Sequence, residues 1–249
     1  YSGAVSDIGV AALYAETASD NDDLSLAAPK ETIISANANA GFSIVKYEGN
    51  GVTGTKIQHG LSSTPEMIIV KNLSSSTAWA VFHTSIGATK YLALNETTAV
   101  QTATNVWNDT APNSTTFTVG TWSPVNNNGD QHIAYCFHSV SNFSKIGSYT
   151  GNGGSNSITG LGFQPSFVLI KSTGSGSWFI YDSVRTVSVG DNAGTANARP
   201  YILANASGKE NGATSYNVNL DSDGFSMNTS ASDLNTNSTT YLYMAFKIN

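Results

Sequence analysis

One phrase occurs twice in the chain, and it constrains the fold more than any other feature. Each copy has a turn closed by proline, an apolar run that ends in lysine, a polar loop, and a second run that opens on tryptophan. These parts lie at Pro65, 67–71 and Trp79 in the first copy and at Pro165, 167–171 and Trp178 in the second. Neither apolar run alternates with polar residues, as expected for a strand that is covered on both faces. Each copy therefore predicts the central hairpin of a β unit.

Further landmarks surround the phrase in the same order in both halves of the chain. They are the turns at 47–51 and 149–153, the runs 91–95 and 201–205, the strands 117–119 and 225–227, and the closing strands 132–137 and 241–246. About six short strands in each half, without a convincing amphipathic helix, favour β-sandwich or jelly-roll-like units. We predict an all-β fold in which two tandem, related units lie side by side. Trp79 and Trp178 are expected to cap the hydrophobic core of their own units.

The predicted domains are an N-terminal arm or linker over residues 1–40, a first β-sandwich unit over 41–140 and a second over 141–249. The arm has no counterpart later in the chain: residues 8–14 are apolar, and acidic residues and Ala-rich connectors follow. We expect it to pack on a neighbouring protein or an upstream domain, with a short helix at 8–16. The chain begins with Tyr, not Met, which fits a processed or truncated product, and no signal peptide is expected.

Uncharged polar residues must cover most of the surface, because only 11% of the residues are charged, against roughly 25% in an average soluble protein. This composition favours a rigid extracellular or particle-bound protein over a cytosolic enzyme. The formal net charge of -6 argues against nucleic acid as a partner, since phosphate binding needs clustered Lys and Arg. The sequence has no run of about 18 apolar residues, so membrane insertion is not expected.

Two patterns that resemble metal sites fail on their spacing. Asp221-Ser222-Asp223-Gly224 resembles the opening of a calcium loop, but the twelfth position is Ser232 where a bidentate Glu is needed. A turn before the strand at Phe225 is the expected structure. The histidines are at positions 59, 83, 132 and 138, and none has a metal-ligand spacing. We predict no metal and no cofactor, with His132 and His138 at the exposed ends of one strand.

Nucleophilic catalysis is not predicted either. Asp182, Ser183 and Arg185 are close in sequence, but no serine lies in a G-x-S-x-G elbow. We expect Asp182 and Arg185 to form a local ion pair that holds the loop after the Trp178 strand. The single cysteine, Cys136, lies between apolar and aromatic neighbours and is expected to be a buried strand residue. No catalytic residue is assigned, and the chain is predicted not to be an enzyme.

Three residues are candidates for ligand binding. Trp107 and Trp122 lie in polar surroundings and are expected to be exposed, where an indole could stack on a sugar or contact a protein. The alternative is that they plug the ends of the first unit. Arg185 has no counterpart in the first copy, so it belongs to the part of the structure that the copies do not share. Recognition is expected in the unshared loops 95–114 and 183–200.

The chain from residue 42 to 249 resembles a domain found repeatedly in virion-associated proteins of tailed phages, especially marine ones. The matching segments are 133–140, 143–153, 162–171, Trp178, 181–185 and 241–246. Members typically have Arg before the proline of the central strand, where this chain has Gln164. The resemblance implies a non-enzymatic structural or adhesion module on the particle surface. It implies no catalytic residues.

Three functions stay open at this point. The first is a tail-fibre or appendage module on the virion surface that recognises the host, forms a homo-oligomer such as a trimer, and contacts other virion proteins and a host surface glycan. The second is a capsid decoration or head-fibre protein that docks through residues 1–40. The third is a carbohydrate-binding lectin or a polysaccharide depolymerase. The first agrees best with the duplicated, weakly charged β-rich chain.

Overall fold

The structure is a computed structural model that describes residues 29, 31–185 and 200–248. It is almost entirely antiparallel β-sheet, which confirms the predicted all-β class. Two four-residue α-helices, α1 (Thr104–Trp107) and α2 (Ser123–Asn126), and short 3-10 turns at Ala38–Ala40 and Thr214–Tyr216 complete the regular structure of this part. Within it, no helix is long and apolar enough to cross a membrane.

The first half of the chain builds one large sheet and one small sheet. The large sheet contains β1 (Thr32–Asn37), β2 (Phe42–Glu48), β4 (Met67–Asn72), β5 (Trp79–His83), β6 (Lys90–Ala93), β7 (Gln101–Thr102) and β9 (Gln131–Phe137). The small sheet contains β3 (Thr55–Gln58) and β8 (Thr116–Val119). The strand order in the large sheet is β1-β2-β9-β4-β5-β6-β7. A buried core lies between the two sheets and includes Val45, Ile68, Ile57 and Phe117.

The second half repeats this arrangement. Its large sheet contains β10 (Ser144–Thr150), β12 (Phe167–Ser172), β13 (Trp178–Asp182), β14 (Ile202–Leu203) and β17 (Thr240–Phe246), and its small sheet contains β11 (Ser155–Thr159), β15 (Val218–Asp221) and β16 (Gly224–Asn228). The large sheet has the order β10-β17-β12-β13-β14, and the small sheet has the order β11-β16-β15. A second core between them includes Val168, Ile170 and Phe225.

The two large sheets share one strand order. Matched by the repeated landmarks, β2, β9, β4, β5 and β6 correspond to β10, β17, β12, β13 and β14 in the same sequence of neighbours. This is the arrangement that an internal duplication predicts. The strands β4 and β12 are central in their sheets, and each forms a hairpin with the following strand, as the repeated phrase predicts.

The described part of the predicted N-terminal arm belongs to the first sheet. β1 pairs along its whole length with β2, from Thr32 opposite Tyr47 to Asn37 opposite Phe42. The helix predicted at 8–16 lies outside the described residues, as does 186–199 within the predicted recognition loop. The boundaries at residues 40 and 140 stay a prediction.

A third apolar cluster lies between the two large sheets, whose outer faces pack on each other. Its fully buried members come from both halves of the chain: Met67, Ile69, Val81, Leu92, Ile146, Leu169, Trp178, Leu242 and Met244. The rings of Phe137 and Phe246, which close the corresponding strands, lie 6.2 Å apart across this interface. β4 and β12 are therefore covered on both faces, once by their own core and once by the other unit. This double burial explains the absence of alternation in the two runs.

The prediction that each repeated Trp caps the core of its own unit is wrong. Successive side chains of a strand point to opposite faces of the sheet, and in β5 Ala80 and Phe82 take the core side. Trp79 therefore lies on the outer face, in the cluster between the sheets. Trp178 lies in the same cluster, and its Nε1–H donates to the Ala93 carbonyl of the first unit at 2.9 Å.

A buried asparagine in each unit holds the repeated Gly-Asn-Gly turn. The Asn126 Oδ1 accepts the Asn50 N–H at 3.0 Å, and its Nδ2 donates to the Val52 and Gly120 carbonyls at 2.9 and 2.8 Å. Asn235 does the same in the second unit, where its Oδ1 accepts the Asn152 N–H at 3.0 Å. Both side chains are completely buried. Since all their polar atoms are paired, burial carries no penalty for an unsatisfied group.

The Tyr and Gly of the same turns complete this lock. The Tyr47 hydroxyl donates to the Val125 carbonyl at 2.5 Å, and the Tyr149 hydroxyl donates to the Leu234 carbonyl at 2.7 Å. A Cβ on Gly49 would lie 2.3 Å from the Asn127 carbonyl oxygen. The turn and the loop that carries the buried asparagine are thus in backbone contact, which only glycine permits. This explains why Tyr-x-Gly-Asn-Gly recurs in the sequence.

Asn126→Ala is expected to lower the free energy of unfolding by about 2–4 kcal/mol, because it leaves buried backbone groups without partners. The matched control is Asn128→Ala at an exposed position of the same segment, for which the change should stay within about 0.5 kcal/mol. Denaturant unfolding of both variants measures the difference. Equal effects of the two substitutions would contradict this role for Asn126.

Candidate functional site

The two tryptophan candidates lie against the first core. Trp107 is 1% exposed and packs edge-on against Phe82, with ring centroids 5.9 Å apart. Its burial corrects the expectation of an exposed ring and leaves no indole face for a ligand. Trp122 is half-buried and packs on the same core, 4.7 Å from the ring of Tyr91. The alternative that these rings plug one end of the first unit fits both positions.

Arg185 is engaged by its neighbours. Its Nε donates to the Asp182 Oδ2 at 2.6 Å, and its Nη2 donates to the Ile180 carbonyl at 3.0 Å. Glu210 lies 3.7 Å from the same guanidinium. The predicted ion pair with Asp182 is confirmed. Burial of the carboxyl is the largest single influence and raises the pKa of Asp182, but the hydrogen bonds and charge of Arg185 together outweigh it and leave that pKa below its ordinary value. Arg185 therefore holds residues 183–185 against the end of β13.

Three of the four histidines are buried and serve the fold. The His59 Nδ1 accepts the Leu61 N–H, and its Nε2 lies 3.1 Å from the Asn113 carbonyl oxygen. His83 accepts the Ser85 N–H at 3.1 Å. His132 stacks on Tyr47 with ring centroids 5.1 Å apart. The expectation that His132 marks an exposed strand end is wrong, because it shares the inner face of β9 with Ala134 and Cys136.

Burial also governs the chemistry of these groups. It lowers the pKa of His59 and of His132, and it lowers the pKa of His83 to about 4. Burial raises the pKa of the Cys136 thiol to about 12. The imidazoles are thus neutral at physiological pH, and the cysteine is a buried thiol, as the sequence predicts. Within the described part of the chain, no three His, Cys, Asp or Glu side chains group as a metal site requires.

The predicted turn at Asp221–Gly224 is also confirmed, since it joins β15 to β16. The Asp223 carboxylate accepts the N–H groups of Gly160 and Gly162 at 3.0 and 2.7 Å. This carboxylate therefore anchors the turn that precedes the second proline of the repeated phrase.

An open groove of about 540 Å³ lies beside the hairpin of β4 and β5 in the first unit. We call it the Lys71 groove. It is lined by Lys71, Asn72, Leu73, Ser74, Ser75, Ser76, Trp79, Ile133 and Tyr135. Trp79, Ile133 and Tyr135 are half-buried and form its apolar part, while Leu73 is 53% exposed. Sequence analysis missed this site, because it assigned Trp79 to a core and had no means of placing β9 beside β4.

Hydrogen bonds fix the polar side of the Lys71 groove. The Asn72 Oδ1 accepts the N–H groups of Ser74 and Ser75 at 2.8 and 3.0 Å, a local turn that asparagine forms readily. The Lys71 Nζ donates to the Asn72 and Ser75 carbonyls at 2.7 and 3.0 Å. The Asn72 Nδ2 donates to the Asp130 carboxylate, and this bond is the largest cause of the lowered pKa of Asp130. The loop is therefore held open above the aromatic residues.

The groups that line the Lys71 groove differ from those of the buried histidine sites. Aromatic and aliphatic side chains face hydroxyl and backbone groups, and no carboxylate is among the described residues that line the groove. General acid–base catalysis needs a titratable group within hydrogen-bond reach of a substrate. The Lys71 ammonium is held by two carbonyls, and three of the four histidines lie in the interior.

One of the predicted recognition loops has a structural role. In the described loop 95–114, Val100 and Thr97 bond to backbone groups of the second unit, and α1 places Trp107 in the first core. Most of the other loop, 183–200, lies outside the described residues.

The buried histidines predict that the protein loses stability in acid. Since the pKa of His83 is about 4 in the folded protein and ordinarily 6.5, the unfolded chain binds the extra proton between these values. Stability should therefore fall as the pH falls from 6.5 to 4. His83→Asn should reduce this fall, because the amide oxygen can accept the Ser85 N–H without titrating. Unfolding free energies at several pH values test this, and an unchanged pH dependence in the variant would contradict it.

Comparison with known proteins identifies a family. A family model described as a domain of unknown function, DUF7483, matches residues 14–249. No curated protein and no solved structure matches the chain. The matched range includes every described strand of both large sheets and the Lys71 groove. The chain therefore belongs to the DUF7483 family of domains of unknown function.

Proposed function

We propose that the chain is a non-enzymatic module on the surface of a tailed-phage particle, where it forms part of a tail fibre or a similar appendage and contacts the host surface. The observation that carries the proposal is the division of roles among the side chains. Groups able to do chemistry, such as His83 and Cys136, are buried and structural, whereas the open Lys71 groove offers aromatic, aliphatic and hydroxyl groups. Such a surface binds without reacting.

The construction of the fold supports the same proposal. Four β layers, formed by two large and two small sheets, are joined through three apolar clusters. Ser, Thr, Asn and Gly supply much of the surface, and only 11% of the residues are charged. A particle protein exposed to proteases and changing salt benefits from packed sheets with few surface ion pairs, since such pairs contribute little and are screened by salt. The resemblance of residues 42–249 to virion-associated proteins of tailed phages is what supports the proposed location.

Immunogold labelling of intact particles tests the location. An antibody against this chain is expected to label the tail or its appendages. Label spread evenly over the head would favour the capsid decoration or head-fibre alternative. The proposal would be overturned if the particles carry no label and mass spectrometry detects the protein only as a free contaminant of the particle stock.

Purified protein tests the activity. We expect a homo-oligomer, such as a trimer, that binds saturably to host cells and releases no reducing ends from host polysaccharide. Release of reducing ends would support a depolymerase and contradict a non-enzymatic module. A monomeric protein that does not bind host cells would contradict the appendage role.

A further inference from the structure

The Lys71 groove has a counterpart in the second unit, and that counterpart is filled. The strand register matches the two sites residue by residue. In the first unit Lys71 lies opposite Ile133 and Ile69 opposite Tyr135. In the second unit Lys171 lies opposite Leu242 and Leu169 opposite Met244. Lys171, Trp178, Leu242 and Met244 are all at most 6% exposed. Their counterparts in the first unit, which are Lys71, Trp79, Ile133 and Tyr135, are half-buried and line the open groove. The same framework is thus closed in one unit and open in the other.

A segment of the first unit closes the second site. The Val100 N–H donates to the Thr173 carbonyl at 2.9 Å, and the Gly176 N–H donates to the Thr97 carbonyl at 2.8 Å. The Trp178 indole N–H donates to the Ala93 carbonyl at 2.9 Å. Leu94 and Val100 pack into the apolar cluster beside Trp178. The site therefore binds a short polypeptide segment through two backbone contacts, one indole contact and two aliphatic side chains.

Lys171 lies buried at the closed site of the second unit. Its ammonium donates to the Gly174 carbonyl at 3.1 Å, and its side chain has no exposed surface. Burial lowers the pKa of Lys171 to about 8. The closed site therefore holds its lysine out of water, whereas Lys71 in the first unit stays half-buried.

The first unit presents the same groups without a segment on them. The positions that match Thr173, Gly176 and Trp178 are Leu73, Thr77 and Trp79. Among the described residues, no protein group pairs with the Leu73 carbonyl, the Thr77 N–H or the Trp79 indole N–H. The apolar floor is present as well, because Ile133 and Tyr135 replace Leu242 and Met244.

We propose that the Lys71 groove docks a short polypeptide segment of a partner protein, bound as Ala93–Val100 is bound to the second unit. The segment has two aliphatic side chains separated by five mainly polar residues, and its backbone pairs with Leu73 and Thr77. A carbonyl beside the first aliphatic residue accepts the Trp79 indole N–H. This inference concerns a contact with a partner protein. It does not depend on whether the chain is part of a phage particle.

The chain itself supplies the probe, a synthetic peptide with the sequence of Ala93–Thr102. Titrated into the full chain, it is expected to bind saturably with a Kd below about 1 mM, as followed by tryptophan fluorescence and NMR. A peptide of the same composition in scrambled order should bind much more weakly. Equal binding of both peptides, or binding of neither, would overturn the proposal.

Substitutions in the groove locate the binding. Leu73→Asp changes an exposed lining residue and should weaken binding about tenfold or more, as should Trp79→Ala. Leu73→Asp keeps the test valid if loss of Trp79 disturbs the cluster between the sheets. Ile33→Ala is the matched control, since Ile33 is 52% exposed and does not line the groove.

Two results would contradict the inference. Unchanged affinity in both groove variants would show that the peptide binds elsewhere. The groove would instead be a sugar site if the protein does not bind the peptide but binds neutral oligosaccharides and loses that binding in Trp79→Ala.

Discussion

Packing of the two large sheets on each other is the contact on which the rest of the structure depends. Among the described residues, nine buried apolar side chains meet there, and each contributes up to about 1.5–3 kcal/mol relative to an exposed position. A single hydrogen bond contributes about 1 kcal/mol, so apolar burial dominates this interface. It joins the two units, and it gives the central hairpins an apolar environment on both faces.

The interface also differentiates two units of the same design. Segment 93–100 of the first unit contacts Thr173, Gly176 and Trp178 of the second unit, whereas Lys71 and Trp79 stay accessible. The site that is filled by segment 93–100 in the second unit is thus open in the first unit, where it forms the Lys71 groove. The asymmetry follows from one loop, and it gives the protein a place at which a further polypeptide can bind.

Much of the fold was predictable because the sequence repeats one phrase and because the apolar run in that phrase does not alternate with polar residues. The strands, their order along the chain and the central position of 67–71 follow from the repeated phrase and from the lack of alternation in its run. The ion pair of Asp182 with Arg185 and the burial of Cys136 follow from local context. Each of these depends on neighbours within one strand or one turn.

The errors have a common physical reason. A strand pattern shows that a side chain such as Trp79 is covered, but not whether its own unit or the other unit covers it. The face of His132 could have been predicted, because every second residue of a strand lies on the same face and the buried Ala134 and Cys136 follow it at that spacing in β9. Trp107 lies in a helix of four residues, too short to produce a helical pattern. The Lys71 groove joins loop 71–76 to Ile133 and Tyr135, so only the sheet topology could reveal it.

Native-state hydrogen exchange of the wild type and of Leu169→Asn tests the central role of the interface most directly. Leu169 lies on β12 and faces the first unit across the interface cluster. If the interface makes the two units one body, amides of β4 and β12 will open with the same free energy, and the substitution will lower both by the same amount. Two separate opening free energies, with only that of β12 reduced in the variant, would contradict the account.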